Sequence, residues 1–324
     1  MASRTVSCRS RPPGHCRWAA WAAALVLGLS AAHAAPPMVP AGKTVQLTEQ
    51  VYMIPDQGVP LVPNVGIIVG SAGVLVVDTG MGPANAEIVL NEVRQITDKP
   101  ILYLVSTHFH PEHNFGAQSF PLSTVLIYST AQHRDVLTKG EAYRTWFIDM
   151  FGADVQALLE PVKLVTPDVT FERRAVVNLG DLPVELLHFG YAAHTGGDTV
   201  IYLPEQKILF AGGLTPNQGF PIVPDGDSSV RGWIATLDDL AALDAATVVP
   251  GHGQLTDAQV MQRVKTYLTS VQGQARDLKA AGVALADAQD RLYTVFTQRY
   301  PDWREPDWIR NAVELSYAEA DAAN

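Results

Sequence analysis

Beyond residue 16 the chain contains no cysteine. That excludes disulfides, thiolate metal ligands and a cysteine nucleophile from nearly its whole length, and it suits an oxidising compartment. Basic residues are scarce as well: 23 Lys and Arg face 33 Asp and Glu, for a formal charge of -10. An acidic balance of this size argues against nucleic acid and anionic membrane surfaces as partners. No tandem repeat or low-complexity linker follows the first 34 residues, so repeat architectures are set aside. With 47% hydrophobic and 17% charged residues over 324 positions, the composition is that of one large or two small globular domains.

The first residues are read separately from the fold. Arg4, Arg9, Arg11 and Arg17 form a basic leader without acids, Ala19 to Ala32 is apolar, and Ala32-His33-Ala34 is a small-x-small sequence. This is the layout of a secretory signal peptide over 1–34, cleaved after Ala34, and its apolar part is short for a membrane span. The expectation is a periplasmic or secreted protein with no stable membrane insertion after cleavage. Both cysteines, Cys8 and Cys16, would leave with the leader, as would its four arginines, and the formal charge would become -14.

What is present is histidine. Ser106-Thr107-His108-Phe109-His110-Pro111-Glu112-His113-Asn114 carries three imidazoles and a carboxylate within six positions, directly after the apolar run Ile101-Leu102-Tyr103-Leu104-Val105. That run reads as a buried strand, so the cluster sits at a strand's carboxyl end, where open α/β sheets place their chemistry. Imidazole and carboxylate at such density go unpaired unless a cation joins them. His194 lies in a glycine-bearing loop before a strand, and His252 in Pro250-Gly251-His252-Gly253 directly after one. Asp78 ends an earlier strand. His133 and His188 do not share this setting and read as structural.

In chain order, Val45, Leu47, Val51 and Met53 read as one strand, and Val65–Val69 and Val74–Val77 as a hairpin around Gly70–Gly73. A helix is expected from Pro83 to Asp98. Residues 130 to about 159 read as largely helical, with Tyr143, Trp146, Phe147 and Phe151 as core packing or, alternatively, as a wall of the site. A β-rich stretch covers 162–187, strands follow near 198–203 and 208–211, and 219–227 reads as a surface loop. Then come an amphipathic helix over 230–243, a short strand at 247–249, and helices from 256 onward broken at Gly282 and Tyr300-Pro301-Asp302. Two β-rich halves, each followed by helices, give an α/β fold of two packed sheets with helices outside, a four-layer αββα sandwich.

These residues resemble the metallo-β-lactamase superfamily. Its leading His-x-His-x-Asp-His motif is matched by His108-x-His110-x-Glu112-His113, and its later histidine motifs by Ala193-His194-Thr195 and Pro250-Gly251-His252-Gly253. The likeness covers roughly Val45 to Leu255. It implies a metallo-β-lactamase-like domain over 44–255 with a C-terminal helical extension over 256–324 packed on the same domain. It also implies that His108, His110 and His194 bind one Zn²⁺ and that Glu112, His113 and His252 bind a second, weaker one. Asp78, Thr107 and Thr195 would orient those ligands.

Two departures stand out. Glu112 replaces the family's Asp, so the carboxylate either binds the second zinc differently or acts as the catalytic group on the attacking water. Gly213 replaces a metal-bridging Asp found in many members, as in the all-histidine lactamase subclass; the plain alternative is a tight turn needing glycine. The resemblance implies an exported zinc-dependent hydrolase of an ester, thioester or lactone-like small molecule. A β-lactamase of the all-histidine subclass and a non-catalytic zinc-binding accessory protein are the alternatives. The histidine motif, the Ser228 to Trp233 segment and the helical C-terminus look similar to periplasmic hydrolases of quinoprotein and sulfur-oxidation systems, which implies a periplasmic oxidase system as partner.

His110→Ala is expected to abolish tight zinc binding and activity together, whereas replacing His133 should leave the metal content of the purified chain unchanged. Elemental analysis of both variants after dialysis against a mild chelator checks this.

Overall fold

The computed structural model of the chain describes residues 36–321 except residue 225; the proposed signal peptide lies outside the described residues. The first sheet is built from β1 (Val45–Gln46), β2 (Val51–Ile54), β3 (Val65–Val69), β4 (Val74–Val77), β5 (Ile101–Val105), β6 (Val125–Ser129) and β7 (Val169–Phe171). They lie side by side in that order. The second sheet takes β8 (Arg174–Asn178), β9 (Pro183–Leu187), β10 (Val200–Leu203), β11 (Ile208–Gly212) and β12 (Thr247–Pro250), again in chain order. Strands β4, β5, β6 and β7 run parallel. β4 is buried along its whole length, as a parallel strand covered on both faces must be, which explains the unbroken apolar run Val74-Leu75-Val76-Val77.

Alternation sorts the side chains into layers. Leu75, Val77, Val105 and Ile127 of the first sheet meet Leu186, Ile201, Leu203, Phe210 and Val249 of the second in one core between the sheets. The opposite faces turn outward: Val74, Val76 and Leu104 pack on Ala86, Val89, Leu90 and Val93 of α1 (Gly82–Ile96). Val200, Tyr202 and Leu209 pack on α5 (Val230–Ala241) and α6 (Gln259–Ala280) through Trp233, Leu237, Val264 and Leu268. The order helix, sheet, sheet, helix is the expected αββα sandwich. The remaining helices are α2 (Pro111–Asn114), α3 (Thr130–Phe151), α4 (Ala153–Leu159), α7 (Leu285–Arg299) and α8 (Trp308–Asp321). Ile309 and Val313 of α8 and Phe296 of α7 belong to the same cluster as β10 and β11. The packing therefore runs without interruption across residue 256.

Two stretches differ from expectation: 219–227, read as a surface loop, is largely buried, with Phe220, Val223 and Asp227 turned inward, and the first strand is not one strand. The single strand read over Val45 to Met53 is a hairpin, with Val45 opposite Met53. The amides of Leu47 and Thr48 both donate to the carbonyl of Val51 and reverse the chain there. Alternating apolar residues cannot reveal such a turn, because both arms keep the same period of two.

Trp233 is fully buried, and its indole N–H donates to the carbonyl of Leu214 at 2.9 Å. Trp233→Ala removes that volume and leaves the carbonyl without its donor, so a loss of about 3–5 kcal/mol is expected. Urea unfolding followed by circular dichroism measures it.

Candidate metal centre

The centre grows from the ends of strands. After β5, Ser106 to His110 continue as buried irregular chain, and Pro111 at the first helical position starts the single turn α2, for which its fixed φ is suited. This turn carries Glu112 and His113 back beside His108, whose ring centroid lies 4.1 Å from that of His113. His194 comes from the loop before β10, and His252 from the residues just after β12. All five histidines and Glu112 thus meet at one edge of the two sheets.

They meet as two trios, each with potential ligand atoms within 4.8 Å of one another. In the first, His108 Nε2 lies 3.1 Å from His110 Nδ1 and 3.2 Å from His194 Nε2. In the second, His113 Nε2 and His252 Nε2 are 3.1 Å apart, and Glu112 Oε1 is 4.0 Å from each. The outward nitrogens explain this aim. His194 Nδ1 faces the carbonyl of Ile222 and His252 Nδ1 that of Val62, both at 2.9 Å. A carbonyl can only accept, so both Nδ1 atoms carry the proton and both Nε2 atoms present lone pairs to the centre.

Electrostatics agrees. Burial, and then the neighbouring imidazoles, push His108 and His110 well below the usual histidine range. Burial lowers His194 to about 4, and burial with the pull of His113 lowers His252 to about 3. These four rings are neutral at pH 7 and ready to donate. His113 differs: burial pulls it down, but the Asp78 carboxylate, 2.8 Å from Nδ1, more than offsets this and raises it. Burial also raises Glu112 against the lowering effect of His113. His110 Nε2 and Glu112 Oε2 are buried without a hydrogen-bond partner. Crowded neutral imidazoles with an unpaired carboxylate oxygen fit a divalent cation, and no other common partner satisfies such a donor set.

The flanking residues separate. Asp78 sits at φ 65°, a left-handed conformation that aspartate tolerates better than most residues. Its Oδ1 accepts from the Thr107 amide at 2.7 Å, and its Oδ2 from the Thr107 hydroxyl at 3.0 Å as well as facing His113. Thr107 Oγ1 also lies 3.0 Å from His108 Nδ1. Asp78 and Thr107 therefore brace both trios. Thr195 does not touch a histidine ring; its amide and hydroxyl are taken by Asp198 at 2.9 and 2.7 Å, which shapes the loop carrying His194. His188 Nδ1 faces the Asp198 carbonyl, and neither His188 nor His133 joins a trio.

Two contributors escaped the sequence reading, and Tyr143 entered it only as the alternative to core packing. Asn64 donates to the carbonyls of Pro250 and Gly253 at 2.8 Å each, while Asp56 accepts from the Gly253 amide at 2.7 Å, so the His252 loop is clamped on both sides. Tyr143, read first as core packing, stacks on His110 at 4.9 Å and 19°. Gly213 also has another cause than a turn. The left-handed φ of 53° belongs to Gly212, whereas a Cβ on residue 213 would stand 2.2 Å from Cδ2 of His194. The His194 ring occupies the space an aspartate side chain would need. Gly213→Asp is accordingly expected to displace His194 and to cost the chain a metal equivalent rather than add a bridging ligand; metal analysis and a crystal structure of the variant decide it.

A family model described as the metallo-beta-lactamase superfamily matches residues 58–252. The linear primary-alkylsulfatase of Pseudomonas sp. (strain ATCC 19151) is 30% identical over 215 residues, 56% of this chain and 40% of that protein. The chain thus spans well under half the length of that relative. The type 2 metallo-beta-lactamase of Elizabethkingia meningoseptica is 22% identical over 263 residues, 78% of this chain and 95% of the lactamase. Among solved structures, the stereoselective inverting sec-alkylsulfatase Pisa1 from Pseudomonas sp. superposes with a TM-score of 0.65 at 16% identity, over 85% of this chain and 50% of that one. With well over half of its sequence matched and the fold in agreement, the chain belongs to the metallo-beta-lactamase superfamily.

Proposed function

We propose that the protein is an exported, zinc-dependent hydrolase of a small-molecule ester, with sulfate esters foremost and thioesters and lactones as neighbouring classes. The observation that carries this is the pair of adjacent trios, His108–His110–His194 and Glu112–His113–His252. The first would hold one zinc with three neutral imidazoles, and the second would hold another with two imidazoles and a carboxylate. Bound zinc supplies a Lewis acid and a hydroxide source near neutral pH.

The chain's own residues do the rest. Asp78 fixes the tautomer and tilt of His113 and, through Thr107, the position of His108. Glu112 Oε2 has no hydrogen-bond partner, and burial raises its proton affinity. It would take a proton from the attacking water and return it to the leaving group. The second trio lacks a bridging carboxylate at Gly213, which supports a second zinc held more weakly than the first. Sulfate esters lead because the alkylsulfatase is 30% identical over 215 residues, against 22% for the type 2 lactamase. A β-lactam substrate is the second reading, since the likeness to the type 2 lactamase runs over nearly that whole enzyme. Export rests on the basic and apolar leader, and a periplasmic oxidase partner on the likeness of the histidine motif, the Ser228 to Trp233 segment and the helical C-terminus to hydrolases of such systems.

The purified protein is expected to carry zinc, to hydrolyse an alkyl sulfate, thioester or lactone in a panel of these with a chromogenic cephalosporin, and to lose turnover to a chelator and regain it with zinc. Turnover of the cephalosporin alone would favour the lactam reading, and bound zinc without any turnover would make the chain an accessory protein.

A further inference from the structure

Beside the first trio lies a partly buried polar network that the metal reading does not use. Asp135, Lys139 and Tyr143 follow one another at intervals of four along α3 and so share one face of it. Lys139 Nζ pairs with Asp135 Oδ1 at 2.9 Å and with Asp227 Oδ1. The Tyr143 hydroxyl donates to the other oxygen of Asp227. Asp227 arrives from the loop ahead of α5 and is buried. Its immediate neighbours carry the network to the opposite wall: the Ser228 hydroxyl donates to the carbonyl of His194 at 2.7 Å, and the Ser229 amide to that of Ala193 at 3.0 Å.

We infer that Asp227 is a positioning residue for the first metal trio, joining Tyr143, which backs His110, to the loop that carries His194. The contacts are arranged for this. The Tyr143 ring lies flat against His110 and edge-on to Phe109 at 4.7 Å, so the hydroxyl bond to Asp227 fixes the plane against which His110 rests. His110 needs such backing because its Nε2 has no hydrogen-bond partner of its own. His108, His194 and His252 each have an oxygen at their outer nitrogen, and His113 has Asp78. Among the described residues no hydrogen bond, ion pair or ring contact joins Asp135, Lys139, Tyr143 or Asp227 to Glu112, His113 or His252, and only the charge of Glu112 is felt at Tyr143, so the network's influence should fall mainly on the first trio.

The inference rests on the reading of these histidines as metal ligands. It is tested in the full chain in two backgrounds: His252→Ala leaves the first trio intact, and His194→Ala leaves the second. Zinc affinity is measured by competition with a chromophoric chelator. In the first background, Asp227→Asn and Tyr143→Phe should each weaken zinc binding about 10–100-fold, and in the second leave it within about twofold. Equal weakening in both backgrounds, or none in the first, overturns the inference while the metal reading stands. No zinc on the unaltered protein overturns both. Should Asp227→Asn fail to fold, Tyr143→Phe decides alone, since it removes one hydroxyl and keeps the ring.

Discussion

Five imidazoles aimed at one another, four of them buried and His252 with 24% of its side chain exposed, are a crowded arrangement in a folded chain. Most have given up water and their protons, and two pairs of nitrogens stand 3.1 Å apart with a third pair at 3.2 Å. Neutral rings cannot all be donor and acceptor to each other, and protonating them would bury charge. Much of the surrounding structure makes sense as what holds this cluster together when its own contacts do not. Asp78 accepts a left-handed backbone to reach Thr107 and His113, and carbonyls from distant loops fix the outer nitrogens of His194 and His252.

The sandwich supplies the rigidity. Because β4, β5 and β6 are parallel and covered on both faces, their carboxyl ends are fixed by the packing of Val77, Val105 and Ile127 against the second sheet. Loops leaving such ends inherit that precision. The second sheet contributes His252 in the same manner, at the end of β12, paired in parallel with β11. Two sheets that pack closely thus bring two sets of strand ends to one place, and a single sheet would hold half a centre.

Most of this was legible in the sequence for a physical reason: the first motif is local. His108, His110, Glu112 and His113 fall within one extended stretch and one helical turn, so spacing alone announces them, and apolar runs announce the strands they follow. His194 and His252 were legible through glycines and strand ends nearby. What could not be read depends on long-range approach. Asn64 reaches Pro250 across 186 positions and Asp227 reaches Tyr143 across 84, and neither residue has a local pattern around it. Tyr143 has the helical spacing of a core residue, and its stacking on a histidine has no signature of its own. Gly213 shows the limit from the other side: glycine suggested a turn, and residue 213 does lie in the turn Ala211–Leu214, but the His194 imidazole standing where its Cβ would be had no local signature.

The clamp on His252 has a bearing on how the protein is made. Its partners, Val62, Asn64 and Asp56, leave the ribosome early, whereas the histidine they hold comes about 190 residues later. A chain still in synthesis can form the strand and turn that carry His108 to His113, and yet it has no complete second trio until β12 has docked. Closure over so long a loop is slow compared with local hairpins and helices. The early residues therefore wait as an unfinished socket, and the last histidine to arrive reports that both halves of the sandwich have come together.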